Sequence, residues 1–182
     1  SRIRDAREVA GVVVQIADAL AAAHRRQILH RDVKPDNILV EDSGRAYLAD
    51  FGLAREMDRP TRLTQSAVIL GTPSFMSPEQ ARGSRLLDER SDVYSLGATL
   101  YYGLTGHLPH VGTGIADLLF RVVSEDPAAP RSLRRSIPAE IETVCLKAMS
   151  KSSDRRYASA GECAADLRRF LAGAPVLARP PS

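Results

Sequence analysis

The chain has 182 residues, enough for a compact domain with its own core, and this length favours one domain over two. Hydrophobic residues make up 44% and charged residues 26%, which argues against disorder, and no apolar run approaches the roughly 18 residues that span a bilayer. The net charge of +3 arises from interleaved acids and bases without a basic block, so no nucleic-acid binding is expected. The first residues lack a signal-peptide pattern, and the sequence predicts a cytoplasmic protein.

The first part of the chain is predicted to contain a helix, a hairpin and a loop. Apolar residues on one helical face predict a helix from Ala6 to Arg25. Two short strands follow at 38–40 and 46–49, joined by a tight turn at Asp42–Gly44. Residues 53–78 show no sustained periodicity, which predicts a long loop.

The second part of the chain is predicted to be helical. Residues 93–104 are apolar nearly all the way round, which predicts a helix, starting near Ser91, that is buried in the middle of the domain. Weaker periodic patterns predict helices at about 115–124 and 138–149, the second with Pro138 in its first turn.

The final helix and the tail complete the predicted fold. The helix is expected to start at Ser159, which has capping-box spacing to Glu162, and to continue to Leu171. Residues 172–182 read as a linker or tail. Because the hairpin is the only convincing β signal, the predicted fold class is mainly α with a small β-hairpin.

The cysteine and histidine side chains predict neither a disulfide nor a metal site. Cys145 and Cys163 lie in apolar helical patterns, where buried reduced thiols are the favoured interpretation. His107 and His110 are close enough in sequence to suggest a metal site, but no third ligand is near them, so the metal interpretation is not favoured.

Two polar motifs flank the predicted hairpin. The stretch HRDVKPDN at 30–37 combines a basic pair, an acid, a lysine and an amide, and Asp50–Phe51–Gly52 follows the second strand. A single acid in a loop is usually a solvated acid, and Asp32 alone predicts no chemistry. The combination of both motifs in this order is what indicates a functional site.

These motifs resemble those of the protein kinase family. The first is similar to the catalytic loop through His30, Arg31, Asp32 and Asn37, and the second to the family's magnesium-binding motif. Further matches follow in the family's order, at Gly71–Thr72–Pro73, Ser77–Pro78–Glu79, Asp92 and Arg156. Serine at 77 replaces the commoner alanine, which is a small departure. The sequence GTPSFMSPEQARG resembles the corresponding segment of the bacterial eukaryotic-type serine/threonine kinases.

The resemblance implies a role for each residue of the site. Asp32 is the expected base for the substrate hydroxyl, and Lys34 is expected to contact the migrating phosphate. Asn37 and Asp50 are the expected ligands of Mg²⁺ or Mn²⁺, bound together with ATP. Leu39 is expected in the apolar floor of the ATP pocket. These residue types agree with what phosphoryl transfer needs: metal-holding anions, a proton acceptor and a cation.

Other matching residues are expected to support or regulate the site. The resemblance implies that Asp92 holds the backbone of the catalytic loop and that Arg156 pairs with Glu79. The remaining supporting positions are His30, Phe51, Gly52 and Thr72.

Regulation is expected to act through the residue before the base. Arg31 is expected to pair with a phosphate on the activation segment, with Thr64 and Ser66 as the predicted phosphorylation sites and Thr61 as a weaker one. The alternative interpretation is a polar loop whose hydroxyls have no role.

The resemblance implies a protein-kinase-like fold of which this chain holds only the helical C-terminal lobe, the C-lobe. Residues 1–171 are assigned to the C-lobe, with the catalytic loop at 30–37 and the activation segment at 50–79, and residues 172–182 to the tail. The family's glycine-rich loop and strand lysine have no counterpart before Lys34, the first lysine. A β-rich N-terminal lobe, the N-lobe, is therefore an expected partner from the same natural chain.

The resemblance also implies the reaction and the partners. Lys34 and Thr72 are typical of serine/threonine kinases, so protein substrates are expected, and the family also allows a kinase dimer and a membrane anchor outside this chain. The isolated fragment is expected to be inactive or nearly so, because half of the nucleotide site is missing. The alternative is a natural truncated or pseudokinase-like interaction module, against which the intact Asp32, Asn37 and Asp50 argue.

Overall fold

The computed structural model describes residues 5–51 and 72–180, excluding the side chain of Thr72. The described residues form seven α-helices and one two-stranded antiparallel sheet. In chain order the elements are α1 (Ala6–His24), β1 (Ile38–Val40), β2 (Ala46–Leu48), α2 (Pro78–Ala81), α3 (Glu89–Thr105), α4 (Ile115–Ser124), α5 (Pro130–Leu133), α6 (Ala139–Ala148) and α7 (Ala160–Leu171). Short 3-10 helices cover Pro35–Asn37, Thr72–Phe75 and Ser153–Arg155. The predicted fold class, mainly α with a small β-hairpin, is confirmed.

The core forms where α1, α6 and α7 pack around α3. As the apolar run predicts, α3 is buried nearly all the way round. The helix starts after Asp88, whose side chain accepts a hydrogen bond from the N–H of Arg90 at 2.9 Å. It ends at Gly106, whose φ of 74° lies in the left-handed region that favours glycine. The other helices are therefore placed relative to α3.

Helix α1 precedes the loop at 30–37 and packs against the core. Asp5 caps it by accepting a hydrogen bond from the N–H of Arg7 at 3.3 Å, and Glu8 in the first turn suits the helix dipole. One face of α1 is buried against α3 and α7, and it comprises Ala6, Val9, Ala10, Val13, Val14, Ile16, Ala17 and Leu20. This burial fixes the direction from which the chain enters the loop at 30–37.

The hairpin lies against α1. Strands β1 and β2 pair with Ile38 opposite Leu48. The side chain of Gln15 accepts a hydrogen bond from the N–H of Ala46 and donates one to the carbonyl of Gly44, both at 3.0 Å. The side chain of one helical residue therefore satisfies two backbone groups of the hairpin and fixes its position on the core.

The described part of the predicted loop at 53–78 begins at Thr72. It contains the 3-10 helix and the first residue of α2. At the start of α2, Ser77 Oγ accepts from the N–H of Gln80 at 3.3 Å, and the Gln80 side chain accepts from the N–H of Ser77 at 3.0 Å. This four-residue helix is too short for a periodic pattern, which explains why the sequence did not predict it.

Two predicted helix starts differ slightly from the structure. Pro138 is the N-cap of α6 rather than a first-turn residue, because its ψ of 145° is extended although its φ of −60° suits a helix. Ser159 is the N-cap of α7, and its Oγ accepts from the N–H of Glu162 at 3.2 Å. The carboxylate of Glu162 accepts from the N–H of Ala158 at 3.0 Å, one residue before the partner that a capping box predicts.

The tail after α7 packs back on the domain. The carboxylate of Asp166, 2% exposed, accepts hydrogen bonds from the N–H groups of Leu177 at 2.6 Å and Ala178 at 2.8 Å. The hydroxyl of Tyr157 donates to the same carboxylate at 2.8 Å. The tail is therefore held against α7 at Leu177 and Ala178, and the domain boundary at 171 stays a prediction.

Two findings concern membrane crossing and the thiols. Within residues 5–51 and 72–180, no helix combines the length and apolarity that crossing a bilayer requires. Cys145 and Cys163 are free and buried, as predicted, and burial raises the pKa of both thiols.

Replacing Gly97 by alanine tests the close packing of α3 on α6. The new Cβ would lie 2.8 Å from the Cβ of Ala148, and neither rigid helix can yield easily. We expect Gly97→Ala to lower the free energy of unfolding by about 1–3 kcal/mol, measured by urea denaturation. Gly11→Ala in α1 is the matched control, because nothing lies within 4 Å of its added Cβ. It should be neutral or stabilising by up to about 1 kcal/mol; equal effects would contradict the packing.

Candidate active site

The carboxylate of Asp92 in α3 holds the backbone of the loop at 30–37 through hydrogen bonds. Asp92 is 1% exposed and accepts hydrogen bonds from the N–H groups of His30 and Arg31, both at 2.8 Å. The ring of His24 donates to the same carboxylate at 2.8 Å. Arg31 has a φ of 66°, which is uncommon outside glycine and persists where surrounding contacts hold it. The buried acid thus imposes the shape of the loop.

His30 joins the loop to the end of the hairpin. Its ring is buried, with Nε2 donating to the carbonyl of Ala49 at 2.8 Å and Nδ1 accepting from the N–H of Asp32 at 3.3 Å. The edge of the ring packs against Phe51 with the centroids 4.6 Å apart. One imidazole therefore contacts the backbone of Asp32 and both neighbours of Asp50.

Asp32, Lys34 and Asn37 form one polar cluster. Asp32 Oδ2 lies 2.8 Å from Lys34 Nζ and accepts a hydrogen bond from Asn37 Nδ2 at 3.1 Å. The same amide nitrogen donates to the carbonyl of Asp32 at 2.7 Å. Asn37 is 6% exposed, whereas the Asp32 side chain is 28% exposed. The acid is therefore accessible from solvent while its orientation is fixed.

The hairpin brings Asp50 to the end of the loop that carries Asn37. The N–H of Ala49 donates to the carbonyl of Asn37 at 2.8 Å, which extends the strand pairing by one residue. Asp50 is exposed and has a φ of 64°. Such a conformation in a residue other than glycine is concentrated at functional sites.

The oxygen donors of Asn37 and Asp50 fit a magnesium ion. Mg²⁺ prefers oxygen ligands and is commonly held by one or two protein groups together with phosphate oxygens. The amide nitrogen of Asn37 is engaged by Asp32, which leaves Oδ1 as its ligand atom. No part of the chain that the structure describes holds a cluster of three or more His, Cys, Asp or Glu side chains that could bind a metal ion without other ligands. The donor set fits a metal bound jointly with a phosphate-bearing ligand.

Glu79 and Arg156 form a bidentate ion pair beneath α2. Arg156 Nη1 and Nη2 donate to the two carboxylate oxygens of Glu79 at 2.6 and 2.8 Å, and Ser91 Oγ donates to Glu79 at 2.7 Å. Burial opposes ionisation of Glu79, but hydrogen bonds from Arg156 and Ser91 outweigh it and lower its pKa to about 2. The other N–H groups of Arg156 donate to the carbonyls of Arg90, Ser150 and Lys151. The pair joins α2, α3 and the segment before α7.

Two contacts of the site are not predicted from the sequence. One is the hydrogen bond from His24 to Asp92, for which the sequence carries no signal. The other runs from Gln80 Nε2 to the carbonyl of Arg31 at 2.8 Å. The spacing of Ser77 and Gln80 is a capping-box signal that was present in the sequence and would have placed Gln80 at a helix start.

The remaining candidates lie on the hairpin or outside the described residues. Leu39 lies on β1 and is 60% exposed. Gly52, Thr64, Ser66 and the side chain of Thr72 are outside the described residues, and their roles stay predictions.

The two histidines of the sequence GHLPH, His107 and His110, lie in different environments. His107 is exposed and its ring contacts the carbonyl of Thr105 at 2.9 Å. His110 is buried, and Lys151 Nζ donates to its Nε2 at 3.1 Å. Burial, together with the charges of Lys151 and Arg121, lowers the pKa of His110 to about 4. Lys151 is therefore a structural partner for one of the two ring nitrogens of His110.

Comparison with known proteins agrees with this fold. Residues 2–165 match the protein kinase domain. The serine/threonine-protein kinase PknB of Mycobacterium leprae is 42% identical over 164 residues, which cover 90% of this chain and 26% of that protein. PknB of Mycobacterium tuberculosis H37Rv is 41% identical over 165 residues, with coverages of 90% and 26%. A probable serine/threonine-protein kinase of Streptomyces coelicolor is 40% identical over 166 residues, with coverages of 91% and 24%.

The described residues form a mainly helical domain with one hairpin and the loop at 30–37. This arrangement is consistent with the C-lobe of the protein kinase fold. The chain belongs to the protein kinase family, and the relatives described above are bacterial serine/threonine kinases. The predicted resemblance is thereby confirmed. The chain spans about a quarter of the length of the curated relatives it matches. Members of this family generally use ATP and Mg²⁺.

Removing Arg156 tests the ion pair. We expect Arg156→Met to lower the free energy of unfolding at pH 7 by about 3 kcal/mol, because the partly buried charge of Glu79, 19% exposed, loses its partner. Folding lowers the pKa of Glu79 from 4.5 to about 2, so the stabilisation is complete above pH 4.5 and is lost as pH falls towards 2. Urea denaturation at a series of pH values measures both effects.

The matched control for this experiment is Arg155→Met. Arg155 is the exposed neighbour of Arg156 and should change stability by no more than about 0.5 kcal/mol. Glu79→Gln should flatten the decline between pH 4.5 and 2, because it removes the titrating group. Equal stabilities of the Arg155 and Arg156 variants would show that the pair does not hold α2 in place.

Proposed function

We propose that the chain is the C-lobe of a protein kinase that transfers the γ-phosphate of ATP to serine or threonine hydroxyls of proteins. The cluster of Asp32, Lys34 and Asn37 carries this proposal, with Lys34 Nζ and Asn37 Nδ2 both within hydrogen-bond distance of the Asp32 carboxylate. A loop with only a structural role has no chemical need for an accessible acid held between a cation and an amide.

Asp32 is the proposed base. Its carboxylate is 28% exposed and oriented by Lys34 and Asn37, so it can accept the proton of a substrate hydroxyl. The hydroxyl oxygen then bonds to the γ-phosphorus as the bond between that phosphorus and the ADP oxygen breaks. Lys34 lies beside the acid and supplies positive charge to the migrating phosphate.

Asn37 and Asp50 are the proposed ligands of Mg²⁺ or Mn²⁺ when ATP is bound. Such an ion supplies neutralising charge to the phosphate oxygens. The contribution of this chain is to hold the two ligands at one end of the hairpin, through the hydrogen bond from Ala49 to Asn37. His30 supports the same arrangement because its ring contacts Ala49 and Phe51.

The proposal requires an N-lobe from the same natural protein. Leu39 and Tyr47 pair across the hairpin and are 60% and 43% exposed, so an apolar part of the hairpin is available to a covering lobe and to the adenine ring. We propose that Leu39 forms part of the apolar floor of the ATP pocket. The N-lobe would supply the glycine-rich loop and the ATP-binding lysine. The chain alone is therefore expected to be inactive or nearly so.

Regulation is proposed to act through Arg31. Its backbone is held by Asp92 and Gln80, and Arg31 directly precedes the proposed base in the chain. A phosphate on Thr64 or Ser66 would pair with the guanidinium and switch the kinase on. The proposed partners are protein substrates and a second kinase molecule, and the proposed location of the domain is the cytoplasm.

Replacing Asp32 tests the function in a kinase domain that joins this chain to the N-lobe of its natural protein. We expect Asp32→Asn to lower kcat at least about a hundredfold, because general-base catalysis is lost. Asp36→Asn changes an exposed acid of the same loop and is the matched control, with activity retained. Phosphate transfer from labelled ATP and Mg²⁺ to serine, threonine and tyrosine peptides measures both rate and acceptor class.

Four results would contradict the proposal in different ways. An inactive wild-type domain would favour the pseudokinase-like module. Equal rates for wild type and Asp32→Asn would contradict the role of Asp32 as the base. Transfer to tyrosine peptides alone would contradict the acceptor class. Robust transfer by residues 1–182 alone would contradict the need for an N-lobe.

A further inference from the structure

Both peptide groups that flank the Cα of Arg31 are hydrogen-bonded to other parts of the chain. The N–H of Arg31 donates to Asp92, and its carbonyl accepts a hydrogen bond from Gln80 Nε2, both at 2.8 Å. Arg31 has a φ of 66°, a conformation that persists where surrounding contacts hold it. Gln80 is one of those contacts, and it lies 49 positions further along the chain.

The other end of the Gln80 amide is fixed as well. Its Oε1 accepts from the N–H of Ser77 at 3.0 Å, while Ser77 Oγ accepts from the N–H of Gln80 at 3.3 Å. These two bonds form the capping box of α2. The ion pair between Glu79 and Arg156 fixes the same helix to the core. The Gln80 side chain is therefore a short rigid link between α2 and the catalytic loop.

We propose that Gln80 is a positioning residue for Asp32, an inference that rests on the proposed kinase function. The Arg31 carbonyl and the Asp32 N–H belong to one planar peptide group, so the hydrogen bond from Gln80 fixes the orientation of that plane. At the opposite edge of the same peptide group, the N–H of Asp32 donates to His30 Nδ1 at 3.3 Å. The base therefore extends from a backbone that Gln80 and His30 hold together.

This arrangement links the rate of the chemical step to the folding of α2. If α2 unfolds, the Gln80 amide loses the geometry that brings Nε2 to Arg31, and the peptide before Asp32 can rotate. Rotation displaces the carboxylate, and a misplacement of about 1 Å in an active site can lower the rate about a hundredfold. The end of the activation segment therefore controls the base through one side chain.

Two substitutions separate this link from the helix cap. Gln80→Met has a similar length and loses both hydrogen bonds, whereas Gln80→Glu keeps the acceptor for Ser77 and loses the donor for Arg31. We expect both to lower kcat about tenfold or more. We expect KM for ATP and peptide to stay within about twofold, because no ligand of either substrate is changed. Ser77→Ala removes the other half of the cap and is the matched control, with kcat retained.

The kinetics are measured in the domain that joins this chain to its N-lobe, with amide hydrogen exchange of Arg31 and Asp32 measured on the same samples. We expect faster exchange at these two amides in both Gln80 variants, with α3 still protected. Wild-type kcat in Gln80→Glu, or an equal loss in Ser77→Ala, would show that Gln80 acts only as a cap and would overturn the proposal. Unchanged amide exchange in both Gln80 variants would overturn it as well, whatever the activity. A wild-type domain without phosphate transfer would instead refute the proposed function.

Discussion

The buried carboxylate of Asp92 is the contact on which the candidate site depends. It lies in α3, the most buried helix of the described chain, and a carboxylate there is stable only when hydrogen-bond donors surround it. The donors are the backbone N–H groups of His30 and Arg31 and the ring of His24, each at 2.8 Å. The loop cannot leave this position without stranding a buried charge, which costs several kcal/mol. The core of the domain therefore determines the conformation of the loop.

The two described ends of the segment 50–79 meet the same loop. At the first end, Ala49 bonds to Asn37 and His30, and Phe51 packs against the His30 ring. At the second end, the bidentate pair of Glu79 and Arg156 holds α2 on the core, and Gln80 of α2 donates to the carbonyl of Arg31 in the loop. The N–H of Asp32 donates to the His30 ring, and the carbonyl of the residue before it accepts from Gln80. The carboxylate of Asp32 can therefore keep one orientation although its side chain is more exposed than that of Asn37.

The sequence predicted the fold well where one element has a strong pattern of its own. The apolar run at 93–104 predicted α3, and the motifs, taken together in the family's order, predicted the family. The sequence did not predict α2, since a helix of four residues is too short to show a helical period. The contacts of His24 with Asp92 and of Gln80 with Arg31 join residues 68 and 49 positions apart. Such contacts depend on how α1, α2 and α3 pack, and no spacing in the sequence records that packing.

Amide hydrogen exchange in an Asp92→Asn variant tests most directly whether the core determines the loop. Asparagine keeps the size of the side chain but has one acceptor oxygen and no charge, so the N–H groups of His30 and Arg31 compete for it. Because hydrogen bonds to charged groups contribute about 1.5–3 kcal/mol, exchange at these two amides should become at least about tenfold faster while α1 and α3 stay protected. Unchanged exchange at both amides in a folded Asp92→Asn protein would contradict the account.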